Sequence, residues 1–319
     1  MTTLTRAFSR LALAAAMTAS VFAAGAAGAA TVESLNAAGK TIQVEVPDNP
    51  KRLAVIDMAV LDMLDHWNLT DRIVAMPKAT PVPYLEKYFK EKSIANTGTL
   101  KEVDMEALMA AEPDVIFISG RLVKKYDELS KIAPVIYMRP DQVNGAFASF
   151  EKNLMNVAKL FDKTESAKAV SDAFEKRIEV IREKSQGQTA LVGLVTAAHV
   201  NLLGEQARAS LISREMGFQN LAQKANANHG NESSFELLVK LDPDYFFVLD
   251  RDSAIARPGA KLAKDILSNE MVERMRAKKN DRIVYLTPAA WYLGEGGVTA
   301  MDIMLRDVEK PLGISAPAL

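Results

Sequence analysis

The chain reads as an α/β protein of two similar lobes, each built on a mostly parallel sheet, joined by a single long helix. Two stretches repeat each other: residues 103–121 are VDMEALMAAEPDVIFISGR and residues 233–251 are SSFELLVKLDPDYFFVLDR. Adding 130 carries Glu106 onto Glu236, Leu108 onto Leu238, Pro113 onto Pro243, Asp114 onto Asp244, Phe117 onto Phe247 and Arg121 onto Arg251. Strand and helix patterns alternate around both copies, which predicts helix-covered parallel sheets. Between the copies, residues 146–187 break the alternation with a long helical pattern.

Each copy reads as a short helix, a Pro-Asp turn, an apolar strand and a basic residue where the strand ends. A helix that turns back into a strand brings its own N-terminus beside the strand's C-terminus. The glutamate and the arginine of each copy therefore share one edge of their sheet. In open α/β sheets that edge binds ligands. Two lobes, each offering one arginine there, suggest a cleft for an anion. The competing reading is coincidence between two ordinary αβ units.

Taken in order, residues 1–30 combine Arg6 and Arg10, an alanine-rich apolar run and Ala-Gly-Ala at 27–29. That is the pattern of a secretory signal peptide cleaved near Ala29 or Ala30. A membrane anchor fits less well, because the apolar run is short and mostly alanine. Export with no cysteine predicts a fold without disulfides and excludes a lipidated cysteine at the cleavage site. The 319 residues, 25% charged and 49% hydrophobic, suit two ordinary globular domains. Without Arg6 and Arg10 the count is 37 basic (39 − 2) against 40 acidic residues, a net charge of −3. Nucleic acid is therefore not an expected partner, and an anion site must be a local cluster.

A leader strand pair around Ile42–Val46 precedes the strand Arg52–Ile56, after which Asp57 caps a helix carrying Met58–Trp67. Arg72–Met76 is the next strand and Pro77–Pro83 a loop. After the first repeat copy come a helix over Leu122–Ile132 and the strand Val135–Tyr137. A helix through Phe150, Leu154, Val157 and Phe161 leads to a second one. This second helix opens on a capping box, Asp162 to Glu165, and runs to Lys184. About twenty residues of helix span on the order of 30 Å, the width of a domain, so it reads as a strut. Beyond Gly187 lie strands Ala190–Thr196 and His199–Leu203, a helix Arg208–Met216 stopped by Gly217, and the polar loop Asn226–Asn231. The second repeat copy, a helix near Ser268–Ala277, the strand Arg282–Leu286 and a last helix Val298–Val308 follow. The lobes are expected at 31–145 and 188–319, with 146–187 between them.

The sequence shows no zinc-type ligand spacing, phosphate loop, nucleophile elbow or dinucleotide fingerprint, so binding is favoured over catalysis. Arg121 and Arg251 follow apolar strands at the cleft edge. Arg208 is read as opening a helix, where backbone N–H groups would add to anion attraction. A lone arginine is usually a solvated surface charge. Three at strand-end or helix-start positions in both lobes favour a site, and guanidinium suits planar oxyanions. His229 lies in a polar loop, and an idle exposed histidine is the alternative there. Tyr292, in Ala-Trp-Tyr-Leu-Gly-Glu-Gly-Gly, reads equally as a packed aromatic. His66 and His199 read as structural. Ser233-x-x-Glu236 is itself a capping-box pattern. Val103 leaves Glu106 without that explanation, and two matched carboxylates would suit docking on a basic partner.

The order of elements, the strut, the E-x-L-x(4)-P-D repeat and the three arginines resemble the periplasmic substrate-binding proteins of iron-siderophore and cobalamin ABC importers. The resemblance covers the chain from about residue 40 to its end. It implies a class III binding-protein fold, two Rossmann-like lobes on a helical strut, and a monomer with no intrinsic cofactor. In that family Arg121, Arg208 and Arg251 fall where catecholate oxygens are contacted. His229 and Tyr292 fall where iron is coordinated when the siderophore is only tetradentate. Glu106 and Glu236 fall where the inner-membrane permease is engaged. The missing cleavage-site cysteine departs from the lipoprotein relatives and points to free periplasmic protein. Haem or cobalamin would be the alternative cargo of the same fold. A secreted enzyme using His229 as a base is the alternative of another class, and no partner for that histidine is visible. Which siderophore, and which permease, the sequence leaves open.

Overall fold

The structure, a computed structural model, describes residues 28–225 and 231–315. The leader through residue 27 and His229 lie outside the described residues. The repeat shows how each lobe is put together. In the first copy Asp104 caps the helix Met105–Ala110 by accepting from the Glu106 and Ala107 amides. In the second, Ser234 caps Phe235–Leu241 by accepting from the Leu237 amide. The two caps are in register (104 + 130 = 234). Each helix ends near a left-handed residue, Glu112 at φ 44° and Asp242 at φ 40°, again in register. The Pro-Asp carboxylates then clamp the start of a neighbouring strand. Asp114 accepts from the Lys51 and Arg52 amides, both at 2.8 Å. Asp244 accepts from the Thr189 amide and hydroxyl at 2.9 and 2.7 Å.

Strands β1 (Ala29–Leu35) and β2 (Thr41–Pro47) form an antiparallel hairpin. Among the described residues pairing begins at Ala29. Strands β3 (Leu53–Ile56), β4 (Ile73–Met76), β5 (Ala95–Asn96), β6 (Val115–Ile118) and β7 (Val135–Tyr137) make the first sheet. Its order is β5-β4-β3-β6-β7 and every pair is parallel. The second sheet contains β8 (Thr189–Thr196), β9 (His199–Leu202), β10 (Gln219–Asn220), β11 (Asn231–Ser233), β12 (Tyr245–Asp250) and β13 (Ile283–Tyr285). Its order is β11-β9-β8-β12-β13, with β10 also on β8. Its core β8-β12-β13 is parallel and its β8-β9-β11 edge antiparallel. In both sheets the chain starts at a central strand and returns to its other side, so each has a topological switch point there. Those points lie at the ends of β3 and β6 and of β8 and β12.

The strut is the 22-residue helix Thr164–Ser185, preceded by Ala146–Lys159. Ala167, Val170, Phe174, Ile178 and Ile181 recur at helical spacing on its buried face. Arg177 lies among them, only 6% exposed. It donates to both oxygens of Glu309 at 2.7 and 2.8 Å and to Asp302 at 2.6 Å, a fork that ties the strut to the last helix, Val298–Glu309. The N-terminus of that last helix rests on the other lobe. Asp62, in the first-lobe helix Met58–His66 and fully buried, accepts from the Thr299 and Ala300 amides at 3.0 and 2.8 Å. Gly297 and Gly294 allow the close approach. A Cβ would stand 2.2 Å from an Asp62 oxygen at the first and 2.0 Å from the Tyr84 hydroxyl at the second. One apolar core runs through both lobes, from Leu53 and Val55 through Phe150 and Phe174 to Val192, Phe247 and Met304.

Several expected helices are shorter than the sequence pattern suggests. Arg208 does not open a helix. Ala209 is left-handed at φ 61°, which an α-helix cannot accommodate, so only Leu211–Arg214 is helical. The segment Leu122–Ile132 is a 3₁₀ helix Gly120–Lys125 followed by one turn, Tyr126–Leu129. Ser268–Ala277 is broken into Val272–Arg274 and Arg276–Lys279. Asp162 is left-handed at φ 54° and cannot adopt the extended N-cap conformation, so the strut has no side-chain cap. Ser233 belongs to β11, which passes the second repeat's cap to Ser234.

Burial raises the Asp62 carboxyl to about 6 from the ordinary 3.8, against the pull of the helix amides. Between those values the folded chain binds a proton that the unfolded chain does not. The Asp62 contribution to stability should therefore fall as pH rises through that window and level off above it. Denaturant midpoints measured from pH 4 to 7 should show this decline in wild type and a flatter profile in Asp62→Asn. Identical slopes would mean that Asp62 titrates as an exposed carboxyl does.

Candidate functional site

The two switch points face each other across a cleft of about 610 Å³, the scale of a small-molecule site. Asp57 follows β3, and Ser119, Gly120 and Arg121 follow β6. Arg251 follows β12 and donates to Thr196, at the end of β8, at 3.0 Å. The Pro-Asp units set this arrangement, because each ties the start of its own arginine-bearing strand, β6 or β12, to the start of the central neighbour, β3 or β8.

Tyr292 is the point where the three expected arginines meet. It ends the short helix Pro288–Tyr292 and is 7% exposed. The guanidinium carbons of Arg121, Arg208 and Arg251 stand 5.7, 4.6 and 5.6 Å from its ring centroid, within cation–π range. Arg251 Nε donates to the Tyr292 hydroxyl oxygen at 2.8 Å. Arg121 donates to the Tyr292 carbonyl at 2.8 Å, and Arg208 to the Trp291 carbonyl at 3.3 Å. Those carbonyls close the helix at its negative end, which favours cations. Three like charges would otherwise repel. The ring face and the carbonyls hold them together before any ligand arrives.

Each arginine keeps donor capacity in reserve. Arg208 pairs with Glu295 at 2.9 Å, yet its buried Nε has no acceptor among the described residues. The buried Ser119 hydroxyl, also on the cleft wall, likewise has none. Burial, and then the neighbouring Arg208 charge, pull the Arg121 guanidinium below its ordinary value. It stays protonated, but an anion there would be welcome. Burial also pushes the Asp57 carboxyl up, against the helix amides it caps and the Arg121 charge. Five cationic side chains line the cleft (Lys101, Arg121, Arg139, Arg208, Arg251) against three acidic ones (Asp57, Asp141, Glu295), a surplus of two positive charges. In a partly dehydrated cleft that surplus attracts anions more strongly than on open surface.

Arg121, Arg208, Arg251 and Tyr292 are thus brought together, although Arg208 acts from a turn without a helix terminus behind it. Glu106 and Glu236 lie elsewhere, exposed at matched positions in the first turns of their helices. Both lobes carry a cap residue ahead of the glutamate, so the first copy is not the exception that Val103 suggested. The Glu236 carboxyl is held below its ordinary value by its own amide and by Ser234. Sequence reasoning missed Arg139, which follows the end of β7 as Arg121 follows β6, so the same rule would have found it. It also missed Glu295 and Gln142, whose contacts join distant segments: Gln142 donates to Glu295 at 2.6 Å. Among the described residues no group of three or more His, Cys, Asp or Glu side chains could hold a metal ion, and no helix is long and apolar enough to cross a membrane.

A family model described as periplasmic binding protein matches residues 53–290. The chain belongs to the periplasmic binding protein family. Among this family's substrate-binding transport proteins, the petrobactin-binding protein YclQ of Bacillus subtilis (strain 168) is 34% identical to the chain over 271 residues, 84% of each. The crystal structure of YclQ superposes with a TM-score of 0.83 at 31% identity, covering 90% of this chain and 100% of that one. The periplasmic catecholate-siderophore binding protein VctP of Vibrio cholerae superposes with a TM-score of 0.80 at 28% identity, covering 88% and 100%. The expected fold is thereby established: a class III binding protein, with parallel central sheets and a long helix.

If the arginines grip the ligand of this binding protein, each of Arg121→Ala, Arg208→Ala and Arg251→Ala should weaken an anionic ligand by about 1–3 kcal/mol, the scale of a charge-assisted hydrogen bond. Calorimetric titration with a ferric catecholate reads this directly. Unchanged affinity in all three variants would remove the arginines from the site.

Proposed function

We propose that the chain is the periplasmic binding component of an iron-siderophore ABC importer, and that it captures a ferric catecholate between its lobes. The observation that carries this reading is the gathering of three guanidinium groups, from both lobes, on one tyrosine ring at facing strand ends. Catechol oxygens on Fe(III) keep negative charge, and the complex is a net anion, so it matches a cleft with a positive surplus. Relatives whose names state petrobactin and catecholate-siderophore binding support the same cargo. The iron here is cargo and not a resident cofactor. The leader without a cysteine supports export as free periplasmic protein, with lobes at 31–145 and 188–319.

Within this reading Tyr292 and His229 complete the iron shell of a tetradentate complex. The Tyr292 oxygen is on the cleft wall beside Arg251. Ferric iron takes six ligands, so a four-oxygen siderophore leaves two positions that a phenolate and an imidazole can fill. A hexadentate complex leaves none. Visible-absorbance titration with tetradentate and hexadentate ferric catecholates, haemin and cobalamin tests the cargo. Binding of haemin or cobalamin in place of both catecholates would sink the proposal. The variant His229→Ala/Tyr292→Phe should lose affinity only for the tetradentate complex and shift its charge-transfer band. Wild-type affinity for that complex should also fall below about pH 6, because imidazole must be deprotonated to bind metal. Equal losses for both complexes would mean that the two residues line the cleft without touching iron.

Glu106 and Glu236 are, in the same reading, the two contacts to basic residues of the permease. The double variant Glu106→Ala/Glu236→Ala should bind ligand normally and fail to stimulate uptake in reconstituted vesicles. Normal uptake would reduce the glutamates to helix-terminus charges.

A further inference from the structure

The cleft does not end at the three arginines. Past Arg139 it meets a second cavity of about 340 Å³, between the β1–β2 hairpin and the helix Ala146–Lys159. The two cavities share Tyr137, Arg139 and Asp141 in their walls. Their chemistry differs. The second cavity is lined by hydroxyl and amide groups, among them Thr41, Asn144, Ser149 and Asn153. Apart from Arg139, its charged groups are already engaged. Lys152 is paired with Glu33. Asp141 accepts from the Val143 and Asn144 amides, both at 3.0 Å, and from the Asn144 side chain at 2.7 Å.

Arg139 stands at the boundary. Its carbonyl is held by the Asn153 side chain at 3.1 Å, while no hydrogen bond or ion pair holds its guanidinium among the described residues. The guanidinium reaches toward the hairpin turn, with one nitrogen 3.9 Å from where a Cβ on Gly39 would lie. The other three cleft arginines are anchored by carbonyl, hydroxyl or carboxylate acceptors. Arg139 alone of the four can follow a ligand across the doorway.

We propose that this second cavity is a subsite of the ligand cleft, built for an uncharged arm bearing amide or hydroxyl groups, with Arg139 as the contact at the junction of arm and metal-binding head. The inference rests on the ferric-complex reading above. Past Arg139 a charged arm would find no open counter-charge, whereas an amide or hydroxyl arm meets polar groups along the wall. An apolar arm would leave the Asn144 and Asn153 side-chain oxygens and the Thr41 hydroxyl, which have no partner among the described residues, facing it unsatisfied.

The test uses two ferric bis-catecholates with the same head, one with a plain alkyl linker and one with an added serine-amide tail. Ala148 lines the subsite and is exposed, so Ala148→Trp fills the space without entering the core. Thr41→Trp, from the facing hairpin, provides a second obstruction, and thermal melts check folding of both. Fluorescence titration should show about a tenfold loss for the tailed complex in either variant and little change for the compact one, the signature of lost arm contacts alone. Arg139→Gln should weaken both complexes. Equal effects of the tryptophans on the two complexes, or none on either, would overturn the subsite while leaving the ferric-complex reading intact. Wild-type protein that bound neither complex would overturn that reading and the subsite with it.

Discussion

The seat of Asp62 on the first amides of the last helix is the contact on which the rest of the geometry depends. It joins residues 237 positions apart (299 − 62), and fixes where the C-terminal helix begins. The segment just before that helix carries both Tyr292 and Glu295. A shift of the helix start would therefore move the ring on which the three arginines rest. The glycines at 294 and 297 are part of the same contact, since any side chain there would drive the two surfaces apart. A buried carboxylate is an expensive tie. Here its two helix amides satisfy it, and in return the two halves of the site hold one relative position.

Much of the architecture was legible in the sequence because it follows from local rules. The repeat at 103–121 and 233–251 revealed two lobes of the same build, and the position of arginine after an apolar strand located Arg121 and Arg251. The long amphipathic pattern with Phe174 and Ile178 identified the strut. Errors arose where backbone conformation departs from what side-chain pattern shows. Ala209 is left-handed although alanine advertises no such turn, and it shortens a helix that looked continuous from Arg208; Asp162, a residue that does visit that region, sits between two helices as expected but cannot serve as the cap.

The site was legible only in part, for a related reason. Periodicity can say that a residue ends a strand, and it did so for the arginines. It cannot say that three of them converge on Tyr292, because that depends on how separate segments pack. Glu295 and Gln142 remained invisible on the same ground, since each acquires its meaning from a partner far along the chain. Arg139 was different. The rule that found Arg121 applied to it equally.

The continuous apolar core has a consequence for how the molecule comes apart. Side chains from both sheets, the strut and the last helix belong to one cluster, and the buried Arg177 fork adds a polar tie inside it. Each sheet keeps a private apolar cluster on its other face, but the remainder of each lobe's interior is shared. Severed within Thr164–Ser185, each half would expose a face that only the other can cover, so the shared core should couple the melting of the two lobes despite their separate sheets. Their resemblance to each other is one of construction, and the core they share binds their fates together.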